Sequence, residues 1–247
     1  MPISTDMKSQ AAIVTGGAQG IGYAVAEALI AAGVRVALWD KSGASDAAAA
    51  LGRGTLGIDC DCADEAGVAA AHAQSIDSLG DISIAVANAG IAGANKPLAE
   101  YAMVEWQRQL DNNLTSVFLT CRAVTPAMVE RGYGRVVVVS SIAGLEGAAN
   151  NAAYASAKAG AIGLTKALGK ELAKTGVLVN GIAPSGIDTP LLNDITPEYL
   201  KTVVDKMPIG RLGKPAETAA LVAWLCSPAC SFSAGAIFDN SGGRADY

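Results

Sequence analysis

Histidine occurs once in this chain, at His72, and aromatic residues make up only 5% of it. One histidine leaves no Ser-His-Asp hydrolase to build, and His72 falls in an Ala-rich segment that reads as an exposed helix. The five cysteines, Cys60, Cys62, Cys121, Cys226 and Cys230, are odd in number and contain no C-x-x-C pair. That pattern argues against structural disulfides and against a zinc site, so no metal is expected. Basic clusters are missing too: the net charge is −5, which argues against nucleic acid as a partner. No apolar run reaches the roughly 18 residues of a membrane span. Ala24 to Trp39 comes nearest, and Glu27 and Arg35 interrupt it. The opening MPISTDMKSQ lacks a basic-then-apolar leader, so a cytoplasmic protein is expected.

What is abundant is small and apolar. Hydrophobic residues are 51% of the 247, with 28 glycines, a mixture suited to close packing of helices on a sheet. The length suits one large domain. Short apolar runs alternate with Ala-rich helical stretches: strands at Ala11–Thr15, Val34–Asp40, Thr55–Cys60, Ile82–Ala87, Val136–Val139, Val177–Ala183 and Ala236–Asp239. Helices are expected at Ile21–Ala32, after an Asp64 cap, at Trp106–Thr125 (ended by Pro126), at Ala152–Lys174 and at Pro215–Cys226. Ser42–Ala50 reads as a variable link. No fixed period repeats and no linker intervenes. The expectation is one α/β domain over residues 1–247, a Rossmann-type doubly wound parallel sheet between two helix layers.

The first strand runs into GGAQGIG, whose glycines Gly16, Gly20 and Gly22 open a helix. Glycines there let the backbone approach a pyrophosphate, and the helix N-terminus offers it free N–H groups. Asp40 ends the next strand, twenty residues after Gly20. A carboxylate there can accept hydrogen bonds from both ribose hydroxyls of NAD and repels the 2′-phosphate of NADP. Gly17, Ala18 and Gln19 include no cation for that phosphate, though Lys41 offers partial compensation. NAD is therefore expected over NADP.

Tyr154 and Lys158 are four apart in a helical stretch, so they share one face. Ser141 lies thirteen positions before Tyr154, at a strand end where an α/β sheet places its chemistry. Free tyrosine titrates near pH ~10, and an ammonium beside it is expected to lower that value. A phenol so tuned can exchange a proton with an alcohol or ketone, while the serine hydroxyl steadies the substrate oxygen.

With this spacing, and with the glycine turn and Asp40 upstream, nearly the whole chain resembles the short-chain dehydrogenase/reductase family. The resemblance implies a catalytic set of Asn113, Ser141, Tyr154 and Lys158. In it Asn113, within Asp111-Asn-Asn-Leu-Thr, bends its helix and holds a water connected to the lysine. It implies dinucleotide contacts from Gly16, Gln19, Gly20, Ile21, Gly22 and Asp40. Asp61 and Cys62 meet the adenine, although neighbouring Asp59 competes for that role. Asn88 is implied as chiefly structural, with Ala89 and Gly90 against the ribose. Tyr154 and Lys158 serve cofactor as well as substrate, and Pro184, Ile187 and Thr189 lie near the nicotinamide. A mobile lid over the substrate is implied at about residues 190–210, and a homotetramer paired through the helices of Asn113 and Tyr154.

The activity so implied is NAD-dependent interconversion of a secondary alcohol and a ketone on a small-molecule substrate, by direct hydride transfer and without a metal. The ending SGGRADY, after a G-x-F-D strand, looks like that of 2-keto-3-deoxy sugar acid dehydrogenases of the L-fuconate and L-rhamnonate type. Candidate pocket residues are Ile91, Ala92, Glu146, Asn151, Ser185 and Leu191. A sugar-acid substrate calls for a cation at its carboxylate. Glu146 and Asp188 point the other way, leaving Arg244 or an arginine of a neighbouring subunit. The alternatives are a broad ketone or 3-oxoacyl reductase and, from another class, a non-catalytic NADH sensor or scaffold.

Overall fold

In the computed structural model, which describes residues 6–192 and 196–245, seven parallel strands form one sheet. They are β1 (Ala11–Thr15), β2 (Arg35–Asp40), β3 (Leu56–Asp59), β4 (Ile84–Ala87), β5 (Gly134–Val139), β6 (Val177–Pro184) and β7 (Ile237–Asn240). Their order is β3-β2-β1-β4-β5-β6-β7. From β1 the chain first winds outward to β2 and β3, then returns to pair β4 with β1, in the register Ala12 to Ile84 and Val14 to Val86. The winding reverses between β1 and β4, so the crevice of this fold opens at their carboxyl ends.

The strands read as unbroken apolar runs because both faces of the sheet are covered. Side chains alternate between the faces: Ala11 and Ile13 join one core, Ala12 and Val14 the other. On one face lie α3 (Glu65–Leu79), α5 (Ser116–Arg131) and α7 (Ala152–Leu172); on the other, α1 (Gly20–Ala31) packs along α9 (Pro215–Cys226). Trp39, near the end of β2, is fully buried, and its indole N–H donates to Ser75 Oγ of α3 at 3.0 Å. The Ser75 hydroxyl in turn donates to the Ala71 carbonyl at 2.7 Å.

Three expectations need correction. The presumed link at 42–50 is a helix, α2 (Ala44–Leu51), because the Asp59 carboxylate accepts its first N–H, that of Ala44, at 3.1 Å. Pro126 does not end a helix: α5 continues past it to Arg131 and stops at Gly132, which takes a left-handed φ of 69°. The bond that proline cannot donate is outweighed by burial of Val124, Thr125 and Met128 around it. His72 is half-buried rather than exposed, and burial, with Arg131 nearby, holds its pKa down.

Further helices are α4 (Met103–Leu110), α6 (Ala143–Glu146) and α8 (Pro197–Asp205). Among the described residues no helix is long and apolar enough to cross a membrane.

Removing the Ser75 hydroxyl leaves the buried indole N–H without its acceptor. Ser75→Ala is expected to cost about 1–3 kcal/mol in urea unfolding. An unchanged midpoint would show that the pair contributes nothing.

Candidate active site

The crevice is bounded by two adjoining cavities, of about 280 Å³ and 120 Å³. The larger follows the carboxyl ends of β1, β2 and β3. Gly16, Gln19, Gly20, Ile21, Asp40, Asp61, Cys62, Asn88, Ala89, Gly90 and Thr189 line it. The smaller lies over β4, β5 and β6. Its walls include Asn113, Ser141, Tyr154, Lys158, Pro184 and Ile187, and it shares Ile21, Asn88, Gly90 and Thr189 with its neighbour. Of the expected catalytic and dinucleotide-contact residues only Gly22 lies off both walls. It is buried beneath the turn, where a Cβ would strike the Gly16 carbonyl.

Gly16, at φ 61°, and Gly20, at φ 57°, hold the turn in a conformation that L side chains rarely adopt. The helix that follows has no side-chain cap at Gln19 and no acidic residue in its first turn. Its N-terminal N–H groups and dipole are therefore open to an anion. At Gly90 a Cβ would lie 2.6 Å from Asn113 Oδ1 and 3.4 Å from Lys158 Nζ. This geometry fits a dinucleotide: a bare backbone cradle suited to pyrophosphate, and a second glycine lying against Asn113 and Lys158.

Asp40 is braced from two sides. Its Oδ2 accepts from the Ala18 N–H at 3.0 Å and its Oδ1 from the Lys41 N–H at 2.8 Å. Each carboxylate oxygen retains a lone pair for a further donor. The Lys41 ammonium turns to Asp61, at 2.7 Å, and with backbone support from Ala63 holds that carboxyl below its usual range. Asp59, the competitor to Asp61, is engaged in capping α2 and does not line either cavity.

Asn88 stitches strands together. Its amide donates to the Thr15 and Gly16 carbonyls at 3.0 and 3.1 Å, and the Thr15 hydroxyl accepts the N–H groups of Asn88 and Ala89. Thr15 escaped the sequence reading, which had no signal to separate it from any strand-ending threonine.

Between α4 and α5 the backbone widens into a π-helical turn at Asp111–Thr115, a local form that marks many functional sites. Fully buried Asn113 is fixed within it. Its Oδ1 accepts the Ile91 N–H at 3.2 Å, and its amide donates to the backbone and side-chain oxygens of Gln109 at 3.2 and 2.9 Å. Gln109 in turn donates to the Ala92 carbonyl. Its position four residues before Asn113 was the available clue, since such neighbours meet on a helix.

Tyr154 and Lys158 share one face of α7, with Nζ 5.8 Å from the ring centre. Lys158 is 4% exposed and donates to the Val139 carbonyl at 3.0 Å, while its own carbonyl accepts the Ser140 hydroxyl. Burial lowers the Lys158 pKa from 10.5 to about 8. The phenol moves opposite to expectation: burial raises its pKa, and the Ser141 hydrogen bond only partly opposes that rise. The ammonium is aimed at a backbone carbonyl, and desolvation of the phenolate wins.

Of the candidate pocket residues, Ile91, Ser185 and Leu191 line the smaller cavity, whereas Ala92, Glu146 and Asn151 do not. Asn151 lies over Gly93 instead, and Glu146 is held by Arg244. Among the described residues no group of three or more His, Cys, Asp or Glu is gathered for a metal ion.

A family model described as enoyl-(acyl carrier protein) reductase matches residues 16–244. The chain is 44% identical over 239 residues to the 2-dehydro-3-deoxy-L-rhamnonate dehydrogenase (NAD(+)) of Sphingomonas sp. (strain SKA58), covering 96% of this chain and 95% of that one. It is 40% identical over 236 residues to the cis-4-hydroxycyclohexanecarboxylate dehydrogenase of Sinomonas cyclohexanicum, covering 94% and 95%. The crystal structure of a short-chain type dehydrogenase/reductase from Mycobacterium marinum matches with a TM-score of 0.91 at 33% identity, covering 98% of both chains.

A lysine whose folded pKa is about 8 binds fewer protons than its unfolded counterpart between that value and 10.5. Its buried charge therefore opposes folding at neutral pH, by on the order of 3 kcal/mol, and the opposition fades as pH rises through this window. Lys158→Met should accordingly gain most in thermal stability relative to the parent near pH 7 and keep less than about half of that advantage at pH 9.5. A pH-independent difference in Tm would refute the shift.

Proposed function

The chain belongs to the short-chain dehydrogenase/reductase family and is an oxidoreductase of the alcohol–ketone class, and from that premise we propose that Tyr154, Lys158, Ser141 and Asn113 are its catalytic set and NAD its dinucleotide. The observation that carries this reading is the convergence of all four side chains on one small cavity that opens into the glycine-turn cleft. When bound, the dinucleotide supplies the hydride acceptor or donor at its nicotinamide.

Tyr154 exchanges the proton of the substrate hydroxyl. Its raised pKa keeps the phenol protonated at neutral pH, the form that protonates a ketone, so alcohol oxidation gains as the solution becomes alkaline. Ser141, whose Oγ accepts the Ala143 N–H at 3.2 Å, is held still to bond the substrate oxygen. Lys158 reaches the nicotinamide ribose from its post at Val139, and buried Asn113 maintains the widened helical turn through which a water relay to the lysine can run. The preference for NAD is supported by Asp40 at the ribose position and by the pairing of Lys41 with Asp61, which draws the nearest cation away from a 2′-phosphate.

The two relatives named above act, by name, on a carboxylic acid, which supports a hydroxy- or keto-carboxylate substrate of sugar-acid-like polarity. Residues 190–210 are read as its lid; positions 193–195 lie outside the described residues. The five cysteines, all free thiols and all buried, support a reducing, cytoplasmic setting. Exposed Leu98, Met103, Val104 and Phe118, on and before α4 and α5, support assembly of a homotetramer through that flank.

NAD+ reduction followed at 340 nm with hydroxy-carboxylates, repeated with NADP+, tests the reading. Tyr154→Phe should cut turnover by at least about 100-fold while NADH still binds by fluorescence; retained turnover would overturn the assignment. Asp40→Ala should move the NAD+/NADP+ ratio of kcat/KM toward NADP+ by about tenfold or more. In the parent enzyme, kcat/KM for oxidation should climb with pH through the alkaline range, and a flat profile would contradict a protonated phenol at rest.

A further inference from the structure

Arg244, past the end of β7, does not itself line either cavity but is tied to a residue that does, Ser185, and to Glu146. Its Nε and Nη2 donate to Glu146 Oε2 at 3.2 and 3.0 Å, and its Nη1 donates to Ser185 Oγ at 3.3 Å. The ion pair is largely sheltered, with side-chain exposures of 15% and 27%. The tail is pinned as well, because the Ser241 hydroxyl accepts the N–H groups of Arg244 and Ala245. Ser185 itself lines the cavity that contains Tyr154, Ser141 and Lys158.

A serine hydroxyl has two lone pairs and one proton. At Ser185 the guanidinium takes a lone pair, which leaves the O–H proton as the group to offer a ligand, polarised by the cation behind it. Arg244 spends three of its five N–H donors on these described partners, so two remain for a planar acceptor. Glu146 keeps the guanidinium neutralised when no ligand is present, and Asp188 is exposed and outside the cavity wall. The acidic residues that argued against an acidic substrate therefore do not set the charge of this wall.

We propose that Ser185 and Arg244 form a carboxylate subsite of the substrate cavity, with Glu146 as the resident counter-ion that a bound carboxylate competes against. The subsite rests on the alcohol–ketone reading above and adds to it the group that selects among alcohols. It recognises an organic acid whose carboxylate is held apart from the reacting carbon, since Ser185 and Ser141 follow separate strands, β6 and β5.

The test compares NAD+ turnover of cis-4-hydroxycyclohexanecarboxylate with that of its methyl ester, in the parent enzyme and in R244Q, S185A and E146Q, each checked for folding by thermal melting. In parallel, cyclohexanecarboxylate is titrated into the NADH complex of each protein, with nicotinamide fluorescence as the signal. The parent should favour the acid over the ester. R244Q and S185A should lose that preference, by about tenfold or more, through KM rather than kcat, with a matching loss of cyclohexanecarboxylate affinity. E146Q should bind the carboxylate more tightly, because its competitor is gone. If the ion pair only anchors the tail, E146Q will instead reproduce the losses of R244Q, and the proposal falls. Equal loss for acid and ester in R244Q also overturns it. Carboxylate binding by the parent but not by R244Q, with no turnover of either alcohol, would keep the subsite and overturn the alcohol–ketone reading. Turnover of both substrates without preference would do the reverse.

Discussion

Where β1 and β4 separate at their carboxyl ends, the hydrogen-bond ladder joining them runs out and its last polar groups need other partners. Thr15 and Asn88 supply them, through a hydroxyl that accepts two N–H groups and an amide that donates to two carbonyls. Unpaired, such groups would each cost about 1–3 kcal/mol in a buried setting. The glycine-turn cleft is hung from this junction. Gly16 turns away from it on one side, Ala89 and Gly90 on the other, and the gap between them is the cleft. A cradle of bare backbone can stay open only because its base is bonded shut.

The proposed catalytic set sits one strand further along, and there the fold holds groups that resist burial. Lys158 is nearly enclosed with a single carbonyl partner, and the Tyr154 phenol is more basic than it would be in water. These are departures from what stability alone would select, and groups perturbed in this way cluster at functional sites. Around them the supports are ordinary: Ser140 on the lysine carbonyl, Gln109 on Asn113, and Ala-rich packing of α7 on the sheet.

Features carried by neighbours in the chain were legible in the sequence. The glycine turn, Asp40 twenty residues on, the Asp64 cap and the Tyr154–Lys158 pair all follow from local spacing and backbone geometry, and the structure keeps them in those forms. Pro126 misled because its local veto is weaker than the tertiary burial around it. The link before β3 was misjudged because the carboxylate that starts its helix arrives from Asp59, on the following strand. Glu146 and Arg244 are 98 positions apart; the sequence shows both charges but not that each cancels the other. The raised pKa of Tyr154 was hidden for a related reason, since spacing reveals the lysine but not the direction in which it points.

Trp39 packs deep between β2 and α3, its indole bonded to Ser75 and its carbonyl accepting the Gly17 N–H at 3.3 Å. The remaining tryptophans are differently housed: Trp106 is half-buried and Trp224 is 39% exposed. An enclosed, immobile indole emits at shorter wavelength than a hydrated one and is shielded from aqueous quenchers. Its carbonyl is one hydrogen bond from the glycine turn, and its neighbour in the chain is Asp40. Reduced nicotinamide absorbs where such an indole emits, so the protein carries a built-in energy-transfer donor beside its dinucleotide cleft. Once a quencher has silenced the outer tryptophans, occupancy of that cleft can be followed by light alone, with no label and no turnover.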